Sequence, residues 1–351
     1  IVLTKFREIN EEGNIVEKTH PRYRIQNVYL NTNYKPGEVL ANQESYYETL
    51  DTLSFDSISV VYSESLNVKP DVIMESSYIT PGELYSTEAS SSTYRNLSSL
   101  ELFRLVKINY SETGEVNRRK ERLLNSDVLM TPEKLQSFFI EPEVTNSSGN
   151  IGAAGNLIYQ HRNLFNGAES FNLRLKGALE TLKESYQENY GNMVEFGADV
   201  SIDFPKFLIP FRNEEFIRKY NPKTSISLAY NYQRRPDYSR TLANAKFGYK
   251  WKGNRFNTHI INPIEVNFVR IPYRSQNFID WIEGKYIEFS YQPHLISVTN
   301  YSLIYNNQNI QKNTDFMYFR ANLESAGNLL YGGYQLLDIG KEKDYYELLN
   351  T

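Results

Sequence analysis

The residues of this chain whose types suit chemistry are few and scattered. Its imidazoles are His20, His161, His259 and His294. A zinc site needs ligands converging at short, repeated spacings, and these four are far apart in sequence. Each reads as an ordinary polar side chain, so no metal ligand is assigned. Cysteine is absent, which excludes disulfides and thiolate ligands and leaves the compartment open. No nucleophile with its base, no paired-carboxylate motif and no phosphate loop emerges. No catalytic residue and no cofactor is therefore assigned, and an enzyme is the least supported class. The one dense basic run, Arg118, Arg119, Lys120, Glu121 and Arg122, carries its own acid and reads as a solvated face.

With side-chain chemistry this sparse, the elements carry the information. The chain has 351 residues, enough for two or three domains and a real core. Lys and Arg number 38 against 42 acidic residues, for a net charge of -4 and a pI near 5.8. A nucleic-acid binder needs a concentrated positive footprint, so that class is disfavoured. The 28 Tyr and 19 Phe stand against 4 Met and 2 Trp, with a mean hydropathy of -0.54. Such a chain, aromatic yet polar, suits strands with one greasy and one wet face. No stretch approaches the roughly 18 apolar residues of a membrane-crossing helix. No signal peptide opens the chain, but Ile1 is not an initiator methionine, so the expectation is that its start has been removed.

The pattern changes near residue 140. Before it, helix and strand signals mix. Tyr23 to Leu30 (YRIQNVYL) reads as a strand, Tyr46, Tyr47, Leu50 and Leu53 have helical spacing, and Phe55 to Tyr62 is extended again. Ser86 or Thr87 caps a helix with Glu88 in its first turn, and Phe103 to Tyr110 returns as a strand. This predicts a small α+β module over 21–140, with 1–20 closing something before it.

After 140 the period becomes two. Phe171, Leu173, Leu175 and Leu179 share one side of FNLRLKGALET, while Asn172, Arg174, Lys176 and Glu180 share the other. The same alternation sets Phe196 and Val200, Leu228 and Tyr230, and Phe247 and Tyr249 on a greasy face opposite Glu195, Asp199, Asn231, Lys246 and Lys250. About eight such segments follow one another, several longer than the roughly five or six residues usual in soluble proteins and suited to the roughly nine to eleven needed to cross a bilayer. Two readings stay open. In a membrane barrel the ten apolar residues just named meet lipid, the charges line a wet lumen, and Tyr159, Phe204 and Trp251 form an interfacial girdle. In a soluble antiparallel protein the same face packs inward.

Three stretches together resemble the BamA/TamA (surface antigen) superfamily of outer-membrane assembly proteins, in its Bacteroidetes-type form. YRIQNVYL with ITPGELYSTEASSSTYRNLSSLELFRLVKINY (79–110) is similar to the last POTRA domain before the barrel. TPEKLQSFFIEPEVTNSSGNIGAAGNLIYQHRNLFNGAESFNLRLKGALE (131–180) resembles the linker, first strand, first loop and second strand, and NPKTSISLAYNYQRRPDYSRTLANAKFGYKW (221–251) a later hairpin. The family's arginine-glycine-phenylalanine loop motif and its closing strand have no counterpart. The resemblance therefore implies the N-terminal half of a transmembrane β-barrel, about eight antiparallel strands over 141–351 out of roughly sixteen, following a POTRA domain.

It implies, too, a function without bond-making chemistry: insertion of β-barrel proteins into the bacterial outer membrane through a weak lateral seam. An exposed strand offers free N–H and C=O groups that template an incoming strand. Ile151, Gly152, Ala153, Gly155, Leu157 and Tyr159 are the candidate seam strand, its glycines either weakening the ladder or relieving crowding at the wall. Tyr23, Ile25, Asn27 and Tyr29 are the candidate POTRA edge for periplasmic or lipoprotein accessory subunits. Implied partners are outer-membrane lipids and nascent outer-membrane proteins, with the N-terminal part in the periplasm. A passive or receptor-gated outer-membrane transporter and a soluble β-rich binding protein are the alternatives. Counting the segment at Asn150 as first puts Arg162–Gly167 and 206–222 outside, and Arg234–Ser239 and 271–285 inside.

Overall fold

Almost every alternating stretch is a strand in the computed structural model, which describes residues 5–9, 15–19, 21–63, 65–147, 150–182, 191–209, 213–308, 314–328 and 331–332. Two compact units divide the chain: Ile1–Lys134 with Asn166–Ala168, and Leu135–Phe165 with Glu169–Thr351. The boundary expected near 140 thus falls a few residues earlier, because the stretch taken for a linker is already a strand.

In the first unit β1 (Lys5–Ile9) and β2 (Ile15–Thr19) form a hairpin of their own. A five-stranded sheet follows, from β3 (Tyr23–Asn31), β4 (Leu50–Phe55), β5 (Ile58–Ser63), β6 (Phe103–Val116) and β7 (Arg122–Pro132), in the order β4-β5-β3-β7-β6. Helices α1 (Pro36–Ala41), α2 (Gln43–Glu48), α3 (Pro70–Ser76) and α4 (Thr87–Ser98) connect them. Ser86 caps α4 as its position predicts, its hydroxyl accepting from the Ala89 N–H. The alternate residues Leu124, Ser126, Val128 and Met130 of β7 are buried with Val28, Leu30 and Val60, and α3 and α4 add Val72, Ile73 and Leu97. Each large apolar side chain so enclosed contributes about 1.5–3 kcal/mol of transfer free energy.

Two expectations are corrected here. The helical spacing of Tyr46 to Leu53 is split, since α2 stops at Glu48 and Leu50 and Leu53 lie in β4. Asp56, at φ 53 in the left-handed region open to Asp, turns β4 back onto β5. β3 pairs in parallel with β7 along its length and with β5 over Val28–Asn31, while residues 82–85 cover its start on the β5 side, the Ile25 N–H donating to the Glu83 carbonyl and the Tyr85 N–H to the Tyr23 carbonyl. Tyr23, Ile25, Asn27 and Tyr29 are therefore in a central strand, and the free edges of this sheet are β4 and β6.

The second unit is a meander. β8 (Gln136–Ser147), β9 (Asn150–His161), β10 (Ser170–Leu182), β11 (Gly191–Phe204), β12 (Lys223–Arg234), β13 (Tyr238–Lys252), β14 (Asn257–Arg274), β15 (His294–Asn306) and β16 (Tyr318–Ala326) form one nine-stranded sheet in sequence order. Every neighbouring pair is antiparallel. Strands β8 to β15 run 12 to 18 residues, longer than the nine to eleven or so that a tilted strand needs to cross hydrocarbon. Two helices interrupt the meander, α5 (Glu214–Tyr220) and α6 (Gln276–Ile282).

Candidate functional site

Register turns the alternation of single strands into continuous rows. Leu173 pairs with Val200, Val200 with Leu228, Leu228 with Ala245 and Ala245 with Val266. The next apolar row runs through Leu175, Ala198, Tyr230, Ala243 and Phe268. Of the residues expected to meet lipid, Leu179, Phe196, Leu228 and Tyr230 are 44–60% exposed. Phe171, Leu173, Leu175, Val200, Phe247 and Tyr249 are half-buried, and none of the ten is buried. A sandwich would enclose one whole face under a second layer about 10 Å away, and these rows are not enclosed.

The opposite face is wet chemistry. Lys176 donates to Glu195 Oε1 at 2.7 Å, and Asn231 donates to the same oxygen at 2.8 Å. Lys246 lies 3.3 Å from Glu265, Asn244 donates to Asn267 at 2.7 Å, and Asn300 donates to Glu324 at 2.8 Å. These bonds cross from strand to strand, so each charge rests on a neighbour rather than in an apolar wall.

Among the described residues the sheet has two free edges, β16 and β8, and β8 lies one strand before the predicted seam. It pairs with β9 alone, whereas Ile151, Gly152, Ala153, Gly155, Leu157 and Tyr159 lie in β9, held by β8 on one side and β10 on the other. The six residues expected at the seam therefore do not lie on a sheet edge. On β8, Phe138, Ile140 and Val144 are 68–85% exposed and continue the apolar rows through Tyr159–Leu173 and Leu157–Leu175. Pro142 has no N–H to give, and outside bulges and strand starts proline is confined to edge strands. That residue, and the apolar residues at alternate positions 138, 140 and 144, are the signal the linker reading passed over. Gly152 is explained by crowding: a Cβ there would come within 2.9 Å of the Leu179 carbonyl oxygen, whereas one at Gly155 would stand 3.8 Å from the Glu141 carbonyl.

Counting β8 first exchanges the ends expected for every turn. The turns after β9, β11 and β13 share the end where β8 begins, and Tyr159, Phe204 and Trp251 lie near that end of their strands. At the opposite end, 271–285 is no bare turn. Ser275 caps α6, and Phe278 and Ile282, each 2% exposed, pack with Tyr238 and Ile271. The Phe278 ring lies 5.3 Å from that of Tyr238 and 4.9 Å from that of Tyr291.

The histidines are dispersed. His259 stacks on Trp251 at 5.2 Å and bonds the Tyr301 hydroxyl at 2.8 Å, His294 meets the Gln292 carbonyl, and His161 meets the Asn163 N–H. His20 lies outside the described residues. Among the described residues no His, Cys, Asp and Glu group is arranged to hold a metal. In the basic run Arg118, Arg119 and Lys120 are exposed, but Glu121 is buried. Arg24 and Asn117 donate to it at 2.6 and 2.8 Å, and those bonds hold its carboxyl down at about 2. The acid of the run is a staple, not part of a solvated face.

No family model matches the chain, and no curated protein matches it. Its backbone is similar to the crystal structure of BamA from Haemophilus ducreyi lacking POTRA domains 1–3, at 8% identity and a TM-score of 0.30 over 94% of this chain and 78% of that one. It is similar to CdiB from Acinetobacter baumannii at 8% identity and a TM-score of 0.32, and to CdiB from Escherichia coli at 9% and 0.33, each over 88% of this chain and 69% of the other. At TM-scores this low the likeness carries no argument, and the functional reading stands on the rows, the network and the edge.

Proposed function

We infer that the nine-stranded sheet is part of an outer-membrane β-barrel and that the chain serves the assembly of other barrel proteins. The apolar rows face lipid, the Lys176–Glu195–Asn231 side faces water, and the first unit is a POTRA-type module in the periplasm. The observation that carries the reading is β8: a long edge strand with a bare ladder, ending a sheet whose greasy face is left open. Backbone polar groups cannot be abandoned in hydrocarbon, so β8 must be paired, either by a closing strand or by an incoming one. Pro142 removes one donor from that pairing, and a weakened closing ladder is what an entering strand can displace.

The test is a photo-crosslinking residue at Ile140 in the protein within its native cells, followed by depletion of the protein. Assembly predicts adducts with several nascent outer-membrane proteins and a joint fall in many barrels on depletion. Loss of uptake of a single nutrient, with other barrels unchanged, would establish the transporter reading instead.

A further inference from the structure

Between β11 and β12 the chain does not turn back directly. Residues 205–209 and Phe216 of α5 lie on the greasy side of the sheet, away from the polar network. The Phe207 ring lies 4.8 Å from that of Tyr249 and 5.6 Å from that of Phe216, which in turn stands 5.8 Å from Trp251. Tyr249 and Trp251 belong to the apolar face of β13. The segment is pinned there by polar bonds: Thr224, 1% exposed, receives the Leu208 N–H at 2.9 Å and donates to the Lys206 carbonyl at 2.8 Å, while the Tyr249 hydroxyl donates to the Leu208 carbonyl at 2.8 Å. Phe207 is spent on packing, but Leu208 and Ile209 remain 44% and 37% exposed beside the greasy rows. The charge of the β11–β12 connection is reversed relative to the chain. Lys206, Arg212, Arg218 and Lys219 stand against Glu214 and Glu215, in a protein of net charge -4.

We propose that residues 205–209 are an interfacial anchor, seating Leu208 and Ile209 at the acyl boundary of the bilayer leaflet at that end of the sheet, with the net positive charge of the β11–β12 connection drawing it to anionic phospholipid headgroups. The proposal rests on the bilayer reading of the apolar rows. Aromatic rings with one apolar and one wet side settle at this depth, and apolar insertion with cationic attraction is how peripheral segments hold a charged lipid surface. The occupant is a lipid surface because the exposed residues extend the apolar face of Phe247 and Tyr249, which in this reading already touches lipid.

The absence of cysteine makes single-site labelling direct. An environment-sensitive fluorophore is placed on Leu208→Cys in the full protein, reconstituted into phosphatidylethanolamine–phosphatidylglycerol vesicles carrying a lipid brominated high on its acyl chain. Leu228→Cys serves as the mid-wall control and Asn231→Cys as the wet-face control. Quenching at Leu208 about twofold or more above the Asn231 control, weakening when phosphatidylglycerol is replaced by phosphatidylcholine, is the expected result. Quenching at Leu228 without quenching at Leu208 overturns the anchor and leaves the barrel intact. No quenching at Leu228 overturns the bilayer reading itself. A Leu208 label that is blue-shifted yet unquenched reads a protein cover and overturns the lipid assignment, and insensitivity to phosphatidylglycerol overturns its headgroup part.

Discussion

Arg24, on β3, donates from Nε to Glu121 Oε2 at 2.6 Å and from its second arm to Oε1 at 3.2 Å, joining residues 97 apart in sequence. The pair ties the start of the central strand to the turn that leads into β7. A fork-to-carboxylate contact of this kind is both strong and directional, and it makes the first unit sensitive to acid.

The sign follows from the carboxyl. Its folded value of about 2 lies below the ordinary 4.5, so its contribution is fully present above about 4.5 and is lost as pH falls through 2. Amide exchange in β3 and β7 of the whole protein should therefore accelerate between those values. Glu121→Gln should exchange faster at neutral pH and show a flatter response over that window. A variant with the wild-type acid profile would show that another carboxylate carries the effect.

The neighbours Leu228 and Ala229 point to opposite faces of β12 and make a matched pair. Leu228→Lys should cost about 2–4 kcal/mol of folding stability in lipid vesicles if the row lies near the bilayer midplane. Ala229→Lys, paired in register with Asp199, should stay within roughly 0.5 kcal/mol. Urea titration of the vesicle-folded protein reads both. Equal and small effects would place both residues in water.

Gly152 gives a steric prediction for the edge. A methyl at this position meets the Thr145 hydroxyl at 2.7 Å and the Leu179 carbonyl at 2.9 Å, and the backbone atom cannot rotate away. Gly152→Ala should cost about 1–3 kcal/mol by overpacking and raise amide exchange in β8 ahead of β10. Gly155→Ala, with ordinary spacing, should leave β8 protection close to wild type.

The cap at the opposite end rests on one ring. Phe278→Ala removes the side chain that joins Tyr238, Trp281 and Tyr291, at a local cost of about 3–5 kcal/mol. Residues 275–291 should lose exchange protection while β9 to β12 keep theirs. Loss of protection across the entire sheet would instead make the cap part of its folding unit.

The register explains which expectations held. The rows through Leu173, Leu228 and Ala245 were legible because side-chain alternation is local: the polarity of three or four successive residues fixes which share a face. The α4 cap at Ser86 was legible for the same reason. β8 was missed because Pro142 falls on its apolar register and Phe139 on its polar one, which blurs the alternation over a short window, and that omission put the expected edge one strand late and exchanged the ends of every later turn. The edge assigned to Tyr23, Ile25, Asn27 and Tyr29 failed differently, since no residue in β3 announces that β5 and residues 82–85 lie against it.

What the sequence determined alone is therefore the two-faced strand and its chemistry: greasy Phe, Leu and Tyr against Lys, Glu and Asn, with no side-chain constellation for catalysis. What the tertiary structure decided is adjacency: that β8 is an edge, that β3 is enclosed, and that 205–209 lies on the apolar face rather than the wet one. Alternation is a property of neighbouring residues, but pairing is settled between segments far apart in the chain, by the competition of many strands for the same backbone hydrogen bonds.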